Sequence, residues 1–306
     1  MCSTSEEAGG LLYILQAYPA TIIALDIETG HASTVFSVPD GTPDGIQVDF
    51  AGNVIYWTSM GKMPEIGEAF LDADGTIECC NLRGGDHHVL IGGGNIVTPK
   101  QIQLDLDGGL LYWCDREGMA IFSSRVDGSA LKMLYQTGEW PADSEDALRH
   151  CVGIALDIKN RHIYWTQKGT PDGGKGRILR MGMDLLTGQL PSSRQDVELL
   201  MDLLPEPIDL EIDHANQQIY WTDRGLSEEG GNSLNRADIV GGSLINHKIL
   251  ATGLKEAIGL ALDLKRRRAF VSDLSGAIQS VSMDGGTLVT VYVCSGPVTG
   301  IAFAHH

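Results

Sequence analysis

Basic residues are scarce in this chain: 22 Lys and Arg stand against 40 Asp and Glu, a formal charge of -18 over 306 residues. A surplus of that size repels phosphate backbones and anionic lipid, which sets nucleic acid and membrane surfaces aside as partners. Long apolar runs are missing too. The opening MCSTSEEAGGLLYILQAYPATIIALD lacks a basic leader and is broken by Gln16 and Pro19. It does not read as a signal peptide, and no stretch reaches transmembrane length. No Asn-x-Ser/Thr acceptor occurs. The six cysteines, Cys2, Cys79, Cys80, Cys114, Cys151 and Cys294, contain no Cys-x-x-Cys pair. Free thiols in a cytoplasmic protein follow, or in a secreted one if a leader has been removed. Gly-x-Ser-x-Gly, Walker and dinucleotide-binding patterns are absent. Neither a cofactor nor a metal is expected; DADG at 72–75 opens like a calcium loop, but no twelve-residue ligand pattern follows.

Glycine, at 38 residues, is what the chain has in excess, and it separates short alternating runs. One phrase recurs: NVIYWTSMG, GLLYWCDRE, RHIYWTQKG and QQIYWTDRG. Its tyrosines are Tyr56, Tyr112, Tyr164 and Tyr220; Phe270 takes a fifth place and Tyr13, in GLLYIL, a sixth. Asp49, Asp105, Asp157, Asp213 and Asp263 each precede the aromatic by the same interval, at the end of a run such as GIQVD or GIALD. Period-two apolar runs divided by Gly, Asn and Asp turns are β-strands. Four strands per unit of roughly 50 residues is the sequence form of a propeller blade. The C-terminal TGIAFA matches the innermost run of a blade with nothing after it, and the N-terminus supplies three strands with no innermost partner. The chain is therefore predicted to be one all-β domain, 1–306: six four-stranded blades, closed by the C-terminal strand joining the N-terminal blade. Deep packing is the expected role of the Trp, and turn-pairing that of the strand-end Asp.

With those four Tyr-Trp pairs and their spaced aspartates, the chain resembles the YWTD six-bladed β-propeller of the low-density-lipoprotein receptor family, over essentially its whole length. It departs from the motif at Cys114, at Phe270-Val271, and wherever the final Asp is replaced. The resemblance does not extend to the cysteine-rich modules that flank receptor propellers, and none is expected from these 306 residues. The first-to-second loops (FAGN, LDGG, IKNR, HANQ, LKRR) are short, whereas 59–76, 136–150, 167–177 and 224–233 are long and share one rim. Long loops on one side of a rigid ring are where binding concentrates.

Met60, Met63, Ile66, Phe70, Leu71 and Trp140 on these loops suggest the roof of an apolar pocket. In the innermost strands, Gln47, Gln101, Gln103, Asp209 and Glu211 interrupt a Gly/Ala pattern, with Lys100 and Asp44 one step nearer the long-loop rim. The candidate site is therefore an apolar funnel at that rim. Asp209, Glu211, Lys100 and His150 are the candidate catalytic groups; Gln47, Gln101, Gln103, Trp140, Met60, Met63 and Phe70 are the candidate substrate contacts. A stand-alone propeller of this outline is similar to the fungal hetero-Diels–Alderases that join a tropolone-derived quinone methide to a terpene. That resemblance implies cofactor-independent cyclisation of apolar, polyketide- or terpene-like small molecules. A protein-binding propeller and a metal-dependent lactonase are the alternatives. A deep apolar funnel would favour the enzyme, and a flat rim with an exposed Trp and a charged border would favour a protein partner.

Overall fold

A computed structural model describes residues 9–64 and 70–305. Six four-stranded antiparallel sheets form a ring, and helix is limited, among the described residues, to three single 3-10 turns. The closing blade contains Gly10–Gln16, Thr21–Asp26 and Ala32–Ser37, with Val298–His305 as its innermost strand. The other innermost strands are Pro43–Asp49, Pro99–Asp105, Cys151–Asp157, Pro207–Asp213 and Ala257–Asp263, which open the first to fifth blades in chain order. Closure has the expected register: Gly10 pairs with His305 and Ile14 with Ile301. No helix of the described residues is long and apolar enough to cross a membrane.

The repeated phrase packs as its composition requires. Trp57, Trp113, Trp165 and Trp221 are each fully buried. Each fills the space between its blade and a neighbour; Trp165, for example, joins Leu134 and Tyr135 of the second blade to the third. Burying an aromatic of that size stabilises by more than about 2 kcal/mol. The strand-end aspartates cap the following turns: Asp49 accepts from the Gly52 amide at 2.7 Å, and Asp213 from Ala215 and Asn216 at 3.1 Å.

The Thr of the motif ties blade to blade. Thr58 Oγ1 accepts from Gly45 N–H at 2.8 Å and donates to Lys100 O of the next blade at 2.7 Å. Thr166 repeats this with Gly153 and Ile208, and Thr222 with Asp209 and Ile258. Where Cys114 replaces it, the thiol reaches Gly153 O at 3.4 Å, a weaker bond. In the closing blade, Leu15 stands at that position, and Thr299 donates to Pro43 O instead at 2.9 Å. Gln16 takes the place of the motif Asp, and its Oε1 accepts from Ser295 Oγ and Gly296 N.

Five of the six cysteines, Cys79, Cys80, Cys114, Cys151 and Cys294, are free; Cys2 lies outside the described residues. Burial pushes the Cys80 and Cys151 thiols up to about 12, so both stay protonated and unreactive at neutral pH. One connection departs from the expected asymmetry of the rims. Residues 183–197 leave the short-loop side, and their Arg194 donates to Leu134 O at the outer edge of the second blade.

Candidate functional site

Each innermost strand enters from the long-loop rim, and its second, third and fifth residues line up around the ring. Third places are Gly45, Gln101, Gly153, Asp209, Gly259 and Gly300. A register shift occurs here in the first five blades, bringing the backbone against the next blade. A Cβ on Gly153 would lie 1.9 Å from Ile208 O, which explains the glycine. Asp209 occupies that crowded place by turning its carboxylate into hydrogen bonds, accepting at 2.9 Å from Leu210 N–H and from Leu260 N–H of the next blade. Burial, with Glu211 nearby, pushes its proton affinity well above the ordinary aspartate range. Gln101 donates to Thr299 O at 3.3 Å and to Asp44 Oδ1 at 3.4 Å.

The second places decide the shape of the channel mouth. They are Asp44, Lys100, Val152, Ile208, Ile258 and Thr299, and none is more than 8% exposed. On one half, Val152, Ile208 and Ile258 pack together with Leu274. On the other, Lys100 Nζ is ion-paired with Asp44, and Met60 Sδ lies 3.3 Å away. Burial lowers the Lys100 proton affinity and the Asp44 charge opposes that shift. Met60 is thus buried beside a lysine. The mouth of the channel is apolar on one half and ionic on the other, and buried on both. At the fifth places, Gln103 Nε2 donates to Glu211 Oε1 at 3.0 Å, and Gln47 is half-buried opposite Tyr56.

Toward the long-loop rim lies an arc of ion pairs that the sequence reading missed. Arg116 Nε is 2.7 Å from both carboxylate oxygens of Glu117, whose Oε2 also accepts from Thr98 Oγ1. Lys168 pairs with Glu206 at 2.9 Å, and Arg224 lies 3.3 Å from Glu206 and 2.9 Å from Glu256. His150 is buried beneath the 137–150 loop, with Nε2–H donating to Ser144 O at 2.7 Å. Burial lowers the proton affinities of His150 and Lys168; Glu117 opposes it at the histidine, and Glu206 at the lysine.

The residues expected to form an apolar wall differ in exposure. Phe70 lies against the Arg116 guanidinium, 5.8 Å from ring centre to carbon. Met63 is 61% exposed, Trp140 42% and Leu71 40%; Ile66 lies outside the described residues. Asp74 of the calcium-like DADG accepts from Lys62 N–H at 3.1 Å and so fastens the base of its own loop.

No family model matches the chain. It is 40% identical to low-density lipoprotein receptor-related protein 1 of Pyricularia oryzae, over 97% of this chain and 99% of that protein. It is 37% identical to the 3-hydroxyacyl-CoA dehydrogenase-like protein LAM1 of Cochliobolus heterostrophus, over 92% of this chain and only 60% of LAM1. Among solved structures, a chain of a nidogen/laminin complex superimposes with a TM-score of 0.75 at 20% identity, covering 97% of this chain and 98% of that one. The agreement with that chain is one of fold.

Proposed function

We propose that this chain, which belongs to the family of the fungal low-density lipoprotein receptor-related protein 1, is a binding propeller whose long-loop rim docks a protein segment. The observation that carries the reading is the burial of the second places of the inner strands: six side chains from six blades, none more than 8% exposed, offer a small molecule little surface to touch. Outside these places, Trp140, Met63 and Leu71 stand exposed, and the loop that carries Trp140 also carries the exposed Arg149–Asp146 pair. An accessible Trp with a charged border is the composition of an interface anchor, the Trp supplying affinity and the charges orientation. The match to LAM1 adds support. That relative carries about two-fifths of its length outside the matched region, so a propeller of this family exists joined to a further segment in one chain. The channel groups then brace the ring and keep the rim rigid. The test is affinity capture from the source organism with the wild-type protein, Trp140→Ala and Lys100→Met. Loss of a specific partner from Trp140→Ala alone, by about 2 kcal/mol or roughly 30-fold, supports docking. Equal recovery by all three overturns it.

A second reading retains small-molecule catalysis, in its sharpest form a hetero-Diels–Alderase-like cyclase joining a quinone methide to a terpene. It is favoured by the buried His150 and Lys168, whose lowered proton affinities suit proton transfer at the long-loop rim. On that reading His150→Ala slows conversion of such a substrate pair by about 100-fold, while Trp140→Ala leaves capture unchanged.

A further inference from the structure

We infer that a groove on the outer side of the ring, between the second and third blades, is a separate site for a small, singly charged organic anion, held by Arg177 and Arg149. Two adjoining cavities of about 440 and 300 Å³ form it, sharing Gln136, Thr137, Arg149 and Ser192. Its walls come from opposite rims, the 137–150 loop on one side and the 183–197 connection on the other.

Charge is what marks the groove. The chain as a whole carries -18, yet the larger cavity is lined by Arg149, Arg177 and Arg194 against a single carboxylate, Asp146. Arg194 is structural: its guanidinium holds Asp196 and the carbonyls of Leu134, Gly182 and Asp184. Arg149 is paired with Asp146 at 3.0 Å and donates to Thr137 O. Arg177 spends one nitrogen on Leu148 O at 2.6 Å, and no carboxylate among the described residues ion-pairs with it. Within the larger cavity the balance is one positive charge, on a planar fork whose geometry matches a carboxylate or phosphate.

The rest of the lining is mainly polar, with a small apolar share that leaves room for a compact organic body attached to that anion. Leu148, Leu179 and Tyr135 offer apolar surface, and the amides of Gln136 and Gln167 offer further hydrogen bonds. Glu139 and Asp143 line the adjoining cavity, and they disfavour a second negative charge at that end. Arg194 and Thr137 hold both walls in place without a ligand; Thr137 Oγ1 donates to Arg149 O at 2.6 Å. Binding there therefore costs little ordering.

Calorimetry with phenyl phosphate and with benzoate tests the assignment, using the wild-type protein, Arg177→Gln and Ser192→Trp, the last a substitution on the exposed wall that fills the groove. The wild-type protein should bind at least one probe with a Kd of about 1 mM or tighter at low salt. Either variant, once shown to melt like the wild type, should bind it about tenfold or more weakly. Binding of phenyl phosphate alone identifies a phosphomonoester site, and of benzoate alone a carboxylate site. ATP should bind no more tightly than the better probe. Absence of binding by the wild type, unchanged affinity in both variants, or tighter binding of ATP overturns the inference.

Discussion

Gln103 of the second blade donates its side-chain N–H to Glu211 of the fourth at 3.0 Å, passing the third blade, which has Ala155 at the equivalent place. The bond spans a chord of the ring, and it exists because the intervening residue is small. Burial, partly offset by Gln103, pushes the Glu211 carboxyl up to about 7.

That shift makes stability depend on pH. A carboxyl with a raised folded-state pKa favours folding when protonated, so its contribution is full below about 4.5 and is lost as pH rises through about 7. Between pH 5 and pH 8, Glu211→Gln should remove on the order of 2 kcal/mol of the wild-type decline. Thermal melts at the two pH values read this directly, and parallel declines in both proteins would contradict it. Asp209, shifted in the same direction, leaves some decline in the variant.

Thr166→Val keeps the shape of the side chain and strands two buried groups, Gly153 N–H and Ile208 O. It should cost about 2–4 kcal/mol, measured by urea denaturation. Cys114→Thr supplies the stronger donor where the thiol now reaches Gly153 O, and should gain about 0.5–1 kcal/mol.

Asp44→Asn leaves the buried Lys100 charge without its counter-ion, which should cost about 3–5 kcal/mol. Adding Lys100→Met should restore most of that loss, since an apolar residue then meets Met60 and the neighbouring apolar half of the channel mouth. A double-mutant cycle without coupling would show that the pair does not act as a unit.

Truncation before Val298 removes the innermost strand of the closing blade, including the buried Val298 and Ile301. Each such side chain contributes about 1.5–3 kcal/mol, against a total stability of about 5–15 kcal/mol. The shortened protein should lose its cooperative melt; a transition like that of the full chain would refute this role for the strand.

Blade count and closure were legible because they rest on local pattern: TGIAFA lacks a following strand, and Tyr13 lacks an innermost one. The polar interruptions at Gln101 and Asp209 were legible too, as departures from glycine. Their consequence was not, because it depends on which neighbour each reaches: Asp209 meets Leu260 N–H, 51 residues away in sequence. The arc of ion pairs was missed for the same reason, since Arg116, Lys168, Glu206 and Arg224 come from three blades. Glu206 and Thr98, standing just before the Pro that opens each strand, were the available signal. The groove between the second and third blades left no trace in any motif. It depends on the 183–197 connection reaching the neighbouring blade, and loop length alone does not specify that path.

Gly10 and His305 face each other at one end of the ladder that closes the ring. Tension applied to those two residues would open the ladder one pair at a time, as a zipper opens, and would not load all its bonds together in shear. Pulled at those two residues, the molecule should therefore yield first at the seam that completes the ring, and loss of that strand should take the cooperative fold with it.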